Sequence, residues 1–576
     1  MSRWHGAYCD DPLVIISDDS CPRCTCCDSA PLLEALARES IAHPAVSVPP
    51  DEPPGALGLR WPYGIKYESL SEVGSLETPT DRQATQASAD DSSEPKHSPW
   101  SVYPDTLRPD EIRLVTMHPV DDPTMPLHVT LETFSEDTCP EYEAISYTWG
   151  GEQDNYIRSQ PIYVGPYWDV LFQTQNCVDM LRFVRPWRGI RTIWVDALCI
   201  NQMNTQERSQ QVAKMDLIFQ NCSKVVMYAG PDLAPLTPRV FPRRRPLHDL
   251  GREQQLVATE TPSLTAGLGS LLRRRYFSRV WVVQELLRSR LVVIHVDGIE
   301  YWADSRDSTE LSRGIEWDKT AAPWFQHVAS GHSFGFGSIL EGLELTANSR
   351  AQDPRDKLFA VAGLLWYRGR ERKTLQPDYS LSLQHVFIGF FAYCIIDLEA
   401  VHLLIHARGT ADESSLPTWI PAWRTHESWW QTMLTDPLPE DMSIDILGHH
   451  VFKIEGSSSI FTFCPGNGHN SVGCFGGAVI DADTGALSVS LICLCRIRTT
   501  PTLVHESEPL SVFKIDGSKT TLYVASRHSI DTLVVPGQDQ LFIMKGDFCP
   551  MTYVVLRGLS KPGRFRFVAA LPYIYF

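Results

Sequence analysis

Three short stretches of the chain carry side chains suited to chemistry. "IRTIWVDALCINQMNTQERSQQVAKM" (190–215) delivers Asp196, Cys199, Asn201 and Gln202 into one loop, between an apolar strand pattern and a helix pattern. "YEAISYTWGG" (142–151) ends in Ser146, Tyr147, Trp149 and Gly150. "SRVWVVQELLRSR" (278–290) sets Trp281 and Glu285 one helical turn apart. At about 100° per residue, Val280, Val283, Leu286 and Leu287 share one arc, and Trp281, Glu285 and Arg288 the opposite one. An indole can stack on a flat ring while a neighbouring carboxylate handles charge or hydroxyls, a pairing that suits a ligand pocket. The structural alternative is a solvated Glu beside a Trp buried by another segment. Asp196 and Asn201 have an alternative too, because such residues shape turns and cap the following helix.

A fourth stretch, "CPRCTCC" (21–27), offers with Cys9 and His5 enough thiols for a zinc site. A single CxxC lacks the second pair of finger spacing, and reactive or idle thiols in a flexible arm are the alternative. The expected site therefore includes no metal. His327 and His332 lack an HExxH context, and Walker and GxGxxG loops are missing, so nucleotidase and dehydrogenase readings have no anchor.

The elements that must position these residues follow from periodicity. Residues 1–74 form a Cys- and Pro-containing arm, and 75–100, poor in aliphatics, a disordered linker. Residues 101–141 read as a β-hairpin lead-in around the turn at Asp121-Asp122-Pro123. From 142 to 300 strands alternate with helices, which implies a parallel sheet covered by helices. Asn204 with Glu207 reads as a capping box at a helix start. A helix capped near Ser278 carries Trp281 and Glu285, and a Pro- and Arg-rich insertion (231–270) precedes it. Residues 301–415 read as a helical extension, in which Asp353 caps a helix with Pro354 at its first position. Residues 416–576 alternate apolar and polar positions and read as a β-rich C-terminal region. In an open parallel sheet ligands bind beyond the carboxyl ends of the strands, so Ser146, Trp149, Gly150 and Asp196 belong on one rim.

Length and composition set the frame. The chain has 576 residues, 43% hydrophobic and 10% aromatic, as expected of a globular protein of several domains. A formal charge of -18 argues against nucleic acid as a partner. Arg243–Arg245 and Arg273–Arg275 are local exceptions, expected in solvated loops. The opening MSRWHGAYCDD has no apolar secretory core, and Val386–Ile396 is too short to span a bilayer. Fifteen scattered cysteines suit a reducing interior, so a cytoplasmic location without a membrane span is expected.

"YEAISYTWGG", "IWVDALCINQMNTQERSQQVAKMDLIFQNCSKVVMYAGP", "RYFSRVWVVQEL" and "DPRDKLFAVAGL", in this order and spacing, resemble the fungal heterokaryon incompatibility (HET) domain family. The likeness covers about 142–290 and extends more loosely to about 390. It implies an α/β fold, a TIR/flavodoxin-like parallel sheet with flanking helices. It also implies a role in nonself recognition, a form of innate immunity in which programmed cell death follows fusion of incompatible partners. Other death-signalling proteins, or self-assembly, are the partners it implies. "SRVWVVQEL" is similar to the TIR stretch whose Glu, in active members, cleaves NAD; the matching residue is Glu285, preceded by Trp281. The resemblance thus makes Glu285 catalytic, with Ser146, Trp149, Gly150, Asp196 and Trp281 binding substrate. No cofactor is implied, NAD entering only as the substrate of an NAD glycohydrolase; a non-catalytic scaffold is the other reading.

Overall fold

The computed structural model describes residues 3–41, 48–69, 102–234, 242–250, 268–311, 320–329, 348–364, 375–398, 416–420, 478–544 and 552–572, apart from short stretches inside these, together with a few isolated residues. The expected linker lies outside the described residues, as do 251–267 of the insertion and 421–477 of the C-terminal region. The chain divides into two compact units. The first is Met1–Ser47, Pro79–Gly337 and Asn348–Ser380; the second is Val48–Thr78, Ser338–Ala347 and Leu381–Phe576.

The first unit starts with an antiparallel pair, β1 (Val14–Ile16) and β2 (Pro22–Cys24), followed by α1 (Leu33–Ile41). The short β3 (Tyr67–Glu68) belongs to the second unit. β4 (Glu111–Met117) and β5 (His128–Ser135) pair antiparallel across the expected Asp121–Pro123 turn. Then come β6 (Glu143–Tyr147), β7 (Arg158–Val164), β8 (Asp169–Thr174) and α2 (Gln175–Val184). They are followed by β9 (Arg191–Trp194), α3 (Asp196–Cys199), α4 (Thr205–Asn221) and β10 (Val225–Tyr228). The last strands and helices of the sheet region are β11 (Arg243–Pro246), α5 (Leu268–Leu272), α6 (Val280–Arg288), β12 (Val292–Val296) and β13 (Ile299–Ala303).

Ten of these strands form one mixed sheet, ordered β11-β13-β12-β10-β6-β9-β4-β5-β7-β8. Its inner four, β12-β10-β6-β9, run parallel to one another. The apolar run Val225–Tyr228 is buried throughout, as a central strand covered on both faces requires. Strand alternation puts Trp194, Ala144 and Ser146 on one face, where Trp194 meets Phe219 of α4. Tyr147 and Tyr228 point to the other face, where Tyr228 meets Phe183 of α2.

Several boundaries depart from the sequence reading. The second core strand ends at Trp194, because Asp196 opens the helical turn α3. α6 starts at Val280 with Arg279 in the cap position; the Ser278 hydroxyl donates instead to the Arg275 carbonyl at 2.7 Å. Arg243–Arg245 are largely exposed, as expected, but form the edge strand β11 in place of a loop; Arg244 pairs with Glu300 at 3.2 Å and lies over the Trp302 ring. Asp353 caps no helix: its carboxylate accepts from the backbone and guanidinium of Arg355, and the helix begins at Asp356. Asn204 does cap α4, accepting from Glu207 N at 3.1 Å. The Glu207 side chain does not return the bond; it pairs with buried Arg113, Nη2 to Oε2 3.1 Å.

Beyond β13 the first unit continues with α7 (Ser305–Leu311) and α8 (Asp356–Ala362), the latter packed against α6. In the second unit, α9 (Leu383–Ile396) is capped by Ser382 and buried over nearly its whole length. Its Gly389 packs directly on Trp61, leaving no space for a side chain. The remainder of that unit is β-rich, as expected. β14 (Val479–Asp481) joins β3 and β15 (Leu487–Ser488). β17 (Thr502–His505), β18 (Ser511–Asp516) and β19 (Thr521–Ser526) form a second sheet. A third contains β16 (Ile492–Arg496), β20 (Asp539–Met544), β21 (Thr552–Gly558) and β22 (Phe565–Pro572). Among the described residues no helix is long and apolar enough to cross a membrane.

Candidate functional site

The carboxyl end of β6 brings together side chains that lie 139 residues apart in sequence. Ser146, next to last on β6, is fully buried and donates its hydroxyl hydrogen to Glu285 Oε2 on α6. A serine has one hydrogen to give, so the Tyr276 hydroxyl is the donor in its bond to Ser146 Oγ. Tyr276 and Ser146 are thus a relay ending on the Glu285 carboxylate, which is 3% exposed. Burial pushes the Glu285 carboxyl up to about 7, against the opposing pull of the Arg279 guanidinium and the Ser146 bond. Arg279 holds the site from the start of α6 by donating to the Tyr147 carbonyl.

Above this buried floor is a half-buried rim. Trp149 Nε1 donates to Asp196 Oδ2 at 2.9 Å, and the Arg158 guanidinium lies over the Trp149 ring at 5.4 Å. Burial raises the Asp196 carboxyl, with Arg279 and the Trp149 bond opposing. Asp196 Oδ1 is buried with no hydrogen-bond partner among the described residues. Arg279 serves both carboxyls, Arg158 also draws the Asp196 carboxyl down, and the Asp196 charge raises the cost of ionising Glu285. Gly150 contributes shape: a Cβ there would meet the Asp154 backbone at 3.0 Å, where the 150–155 loop folds back on itself.

Of the residues expected in the site, Ser146, Trp149, Asp196 and Glu285 gather here, with Gly150 alongside. Trp281 does not join them. It turns toward α8 and bonds to the Asp356 carboxylate, which also accepts from the Tyr379 hydroxyl at 2.6 Å. Burial lifts the Asp356 carboxyl to about 6. The rest of the polar knot after β9 is local scaffolding. Asn201 Oδ1 accepts from Met203 N, Gln202 donates to the Asp196 carbonyl, and Asn201 N donates to Glu207. The residue missed entirely was Tyr276. Its only sequence signal is an aromatic pair, Tyr276-Phe277, just before the helix, which also reads as ordinary core.

The class is defined at this point: a helix-covered α/β domain with a parallel inner sheet, a buried acid–hydroxyl cluster at the tip of its first core strand, and a β-rich second unit. Residues 142–285 match the family described as heterokaryon incompatibility protein (HET), so this stretch is a HET domain. A curated relative, Heterokaryon incompatibility protein 6, OR allele, of Neurospora crassa, is 31% identical over 127 residues. That alignment takes in 21% of this chain and only 19% of the relative's length. No solved structure matches the chain.

Proposed function

We propose that the chain is a nonself-recognition protein of fungal heterokaryon incompatibility, promoting programmed cell death through its HET domain by self-assembly or with other death-signalling proteins. The family match and the function named in the Neurospora relative support this reading. The inner strand order supports kinship with the TIR/flavodoxin-like folds: β9-β6-β10-β12, numbered by appearance, is 2-1-3-4, the start of the flavodoxin order. The observation that carries the reading into the domain is the engagement of Glu285. Its carboxylate is bonded to Ser146 under nearly complete cover, so it braces α6 against β6 while the domain serves as an assembly surface. The test is expression in a fungal host. Killing that persists in Glu285→Gln at unchanged protein level supports assembly, and killing lost with the fold intact defeats it.

A second reading, NAD glycohydrolase, is favoured by one specific observation: the unpartnered Asp196 Oδ1 beside the pair of strands where chain order reverses. Ser146 on β6 lies next to Met227 on β10 at that reversal, where open α/β sheets bind ligands. In this chemistry the bond from ribose C1′ to the nicotinamide nitrogen breaks, and its electron pair neutralises the pyridinium ring. Water oxygen then bonds to C1′ and gives up a proton. The leaving group needs no protonation, so one ionised carboxylate facing the oxocarbenium-like ribose suffices, in contrast to the two carboxyls of ordinary glycosidases. Glu285 takes that role, Asp196 Oδ1 accepts a ribose hydroxyl, and Trp149 stacks on a ring. With Glu285 3% exposed, NAD reaches it only after the covering side chains move. Nicotinamide release by purified protein, lost in Glu285→Gln, supports this reading; no release even after induced oligomerisation removes it.

A further inference from the structure

The N-terminal arm holds a cluster that the incompatibility function does not use. The ligand atoms of His5, Cys9, Cys24 and Cys27 all lie within 4.8 Å of one another. Cys9 Sγ is 3.7 Å from Cys24 Sγ and 3.8 Å from His5 Nδ1, while Cys27 Sγ is 3.6 Å from His5 Nδ1. These cysteines are free, and 3.7 Å is far beyond a disulfide of about 2.05 Å. A tetrahedral zinc ion with Zn–S of about 2.3 Å and Zn–N of about 2.0 Å spaces its ligands about 3.5–3.8 Å apart. The three measured edges fall on those lengths.

The histidine carries an independent sign. Its Nε2–H donates to the Tyr167 carbonyl at 2.7 Å, which fixes the tautomer and turns the Nδ1 lone pair toward the thiols. An outer hydrogen bond of this kind is what metal-bound histidines characteristically have. The fold explains the choice of cysteines as well. Cys24 ends β2 opposite Val14, and the following turn, closed by Cys24 N to the Ser29 carbonyl at 2.9 Å, brings Cys27 back beside it. Cys21 and Cys26 of the same run remain exposed and outside the cluster.

We propose that His5 Nδ1 and the thiolates of Cys9, Cys24 and Cys27 bind one zinc ion in a closed, four-coordinate structural site. Three thiolates and one imidazole fill the tetrahedron, so no position is left for water or substrate. The ion ties His5 and Cys9 to the β1–β2 hairpin. The neighbouring contacts, Arg3 to Asp169 at 3.1 Å and Trp4 Nε1 to the Trp168 carbonyl at 2.7 Å, then fasten the assembled knuckle to the β7–β8 turn of the large sheet.

The experiment uses the full-length chain purified from zinc-supplemented culture. Elemental analysis is expected to give one zinc per chain for the wild type and for Cys21→Ser and Cys26→Ser, falling to near zero in Cys24→Ser/Cys27→Ser. Because the double variant can fail for want of folding, cobalt exchange into the wild type supplies the second readout. It should give the d–d absorption and thiolate charge-transfer bands of a tetrahedral sulfur-rich site. Substoichiometric zinc in the wild type, zinc retained by the double variant, an octahedral cobalt spectrum, or a Cys9–Cys24 disulfide found by mass spectrometry would each overturn the proposal.

Discussion

Glu285→Gln is the sharpest probe of the buried cluster, because glutamine keeps the shape and the acceptor for Ser146 but cannot ionise. In the folded chain the Glu285 carboxyl is raised from 4.5 to about 7 by burial. Below pH 4.5 it is protonated in both folded and unfolded chains and has no effect on stability. Between 4.5 and 7 the unfolded chain loses this proton while the folded chain keeps it, so stability falls as pH rises, and the fall levels off above 7. At about 1.4 kcal/mol per pKa unit, the whole decline is about 3 kcal/mol, most of it between pH 5 and pH 8. Urea denaturation of both proteins at pH 5, 6, 7 and 8 isolates the contribution as a difference, since other titrating groups are common to both. The variant should gain on the wild type from pH 5 to pH 7, with little further gain at pH 8. Removing the charge also relieves Asp196, which enlarges the gain. Parallel curves across this window would refute the description of Glu285 as a carboxyl held out of water.

Four other outcomes follow from the same structure. Arg113→Met should weaken the fold by about 3–5 kcal/mol in urea, because it strands the fully buried Glu207; adding Glu207→Leu should recover much of the loss. Gly389→Ala should cost about 1–3 kcal/mol, read as a lowered midpoint for the unit carrying α9, because the new methyl group lands on the Trp61 backbone and ring. Trp281→Phe should cost about 1 kcal/mol by removing a donor to Asp356, and should leave nicotinamide release and cell killing untouched, since the indole stands apart from the Ser146–Glu285 cluster. If NAD is cleaved, the rate should fall about tenfold per pH unit below pH 7, where Glu285 becomes protonated; a rate that is flat from pH 5 to pH 8 would exclude an ionised Glu285 from the chemistry.

Much of the inner sheet was legible because its signals are local. Asn204 before Thr205 marks a helix start, and the apolar run Val225–Tyr228 bounded by Gly230 marks a buried strand. The gathering of Ser146 and Asp196 was legible for a topological reason, since parallel strands joined by crossovers deliver their carboxyl ends to one edge, whereas Glu285 was joined to them only by the family resemblance. What could not be read was how α6 is covered. Its periodicity shows one apolar arc and an opposite arc carrying Trp281, Glu285 and Arg288, whose polar residues suggest a solvated face. In the fold that polar arc is buried too, by three non-local partners: Asp356 against Trp281, Ser146 against Glu285, and the Gly363 carbonyl, 3.2 Å from Arg288 Nε. Two of those partners come from a segment about 70–80 residues further on. The β7–β8 hairpin escaped for another reason, since Pro161 and an exposed Ile157 blur the alternation that would announce it.

The electrostatics of the cluster bear on both functional readings. Two carboxyls, Glu285 and Asp196, share the Arg279 guanidinium, Arg158 also favours the charged form of Asp196, and burial raises both carboxyls. Ionising both places two negative charges under cover, and the Asp196 charge adds to the cost that burial already imposes on Glu285. Near neutral pH the Glu285 carboxyl, raised to about 7 by burial, still carries part of its proton, while the Ser146 bond favours its ionised form. Anything that brings a positive charge to the rim removes that cost and drives the remaining proton off. The nicotinamide ring of NAD is such a charge, and so is a lysine or arginine from an assembling partner. A proton released on adding either one, detected with a pH indicator in weak buffer and absent in Glu285→Gln, would tie the buried acid to binding whether or not a bond is then cleaved.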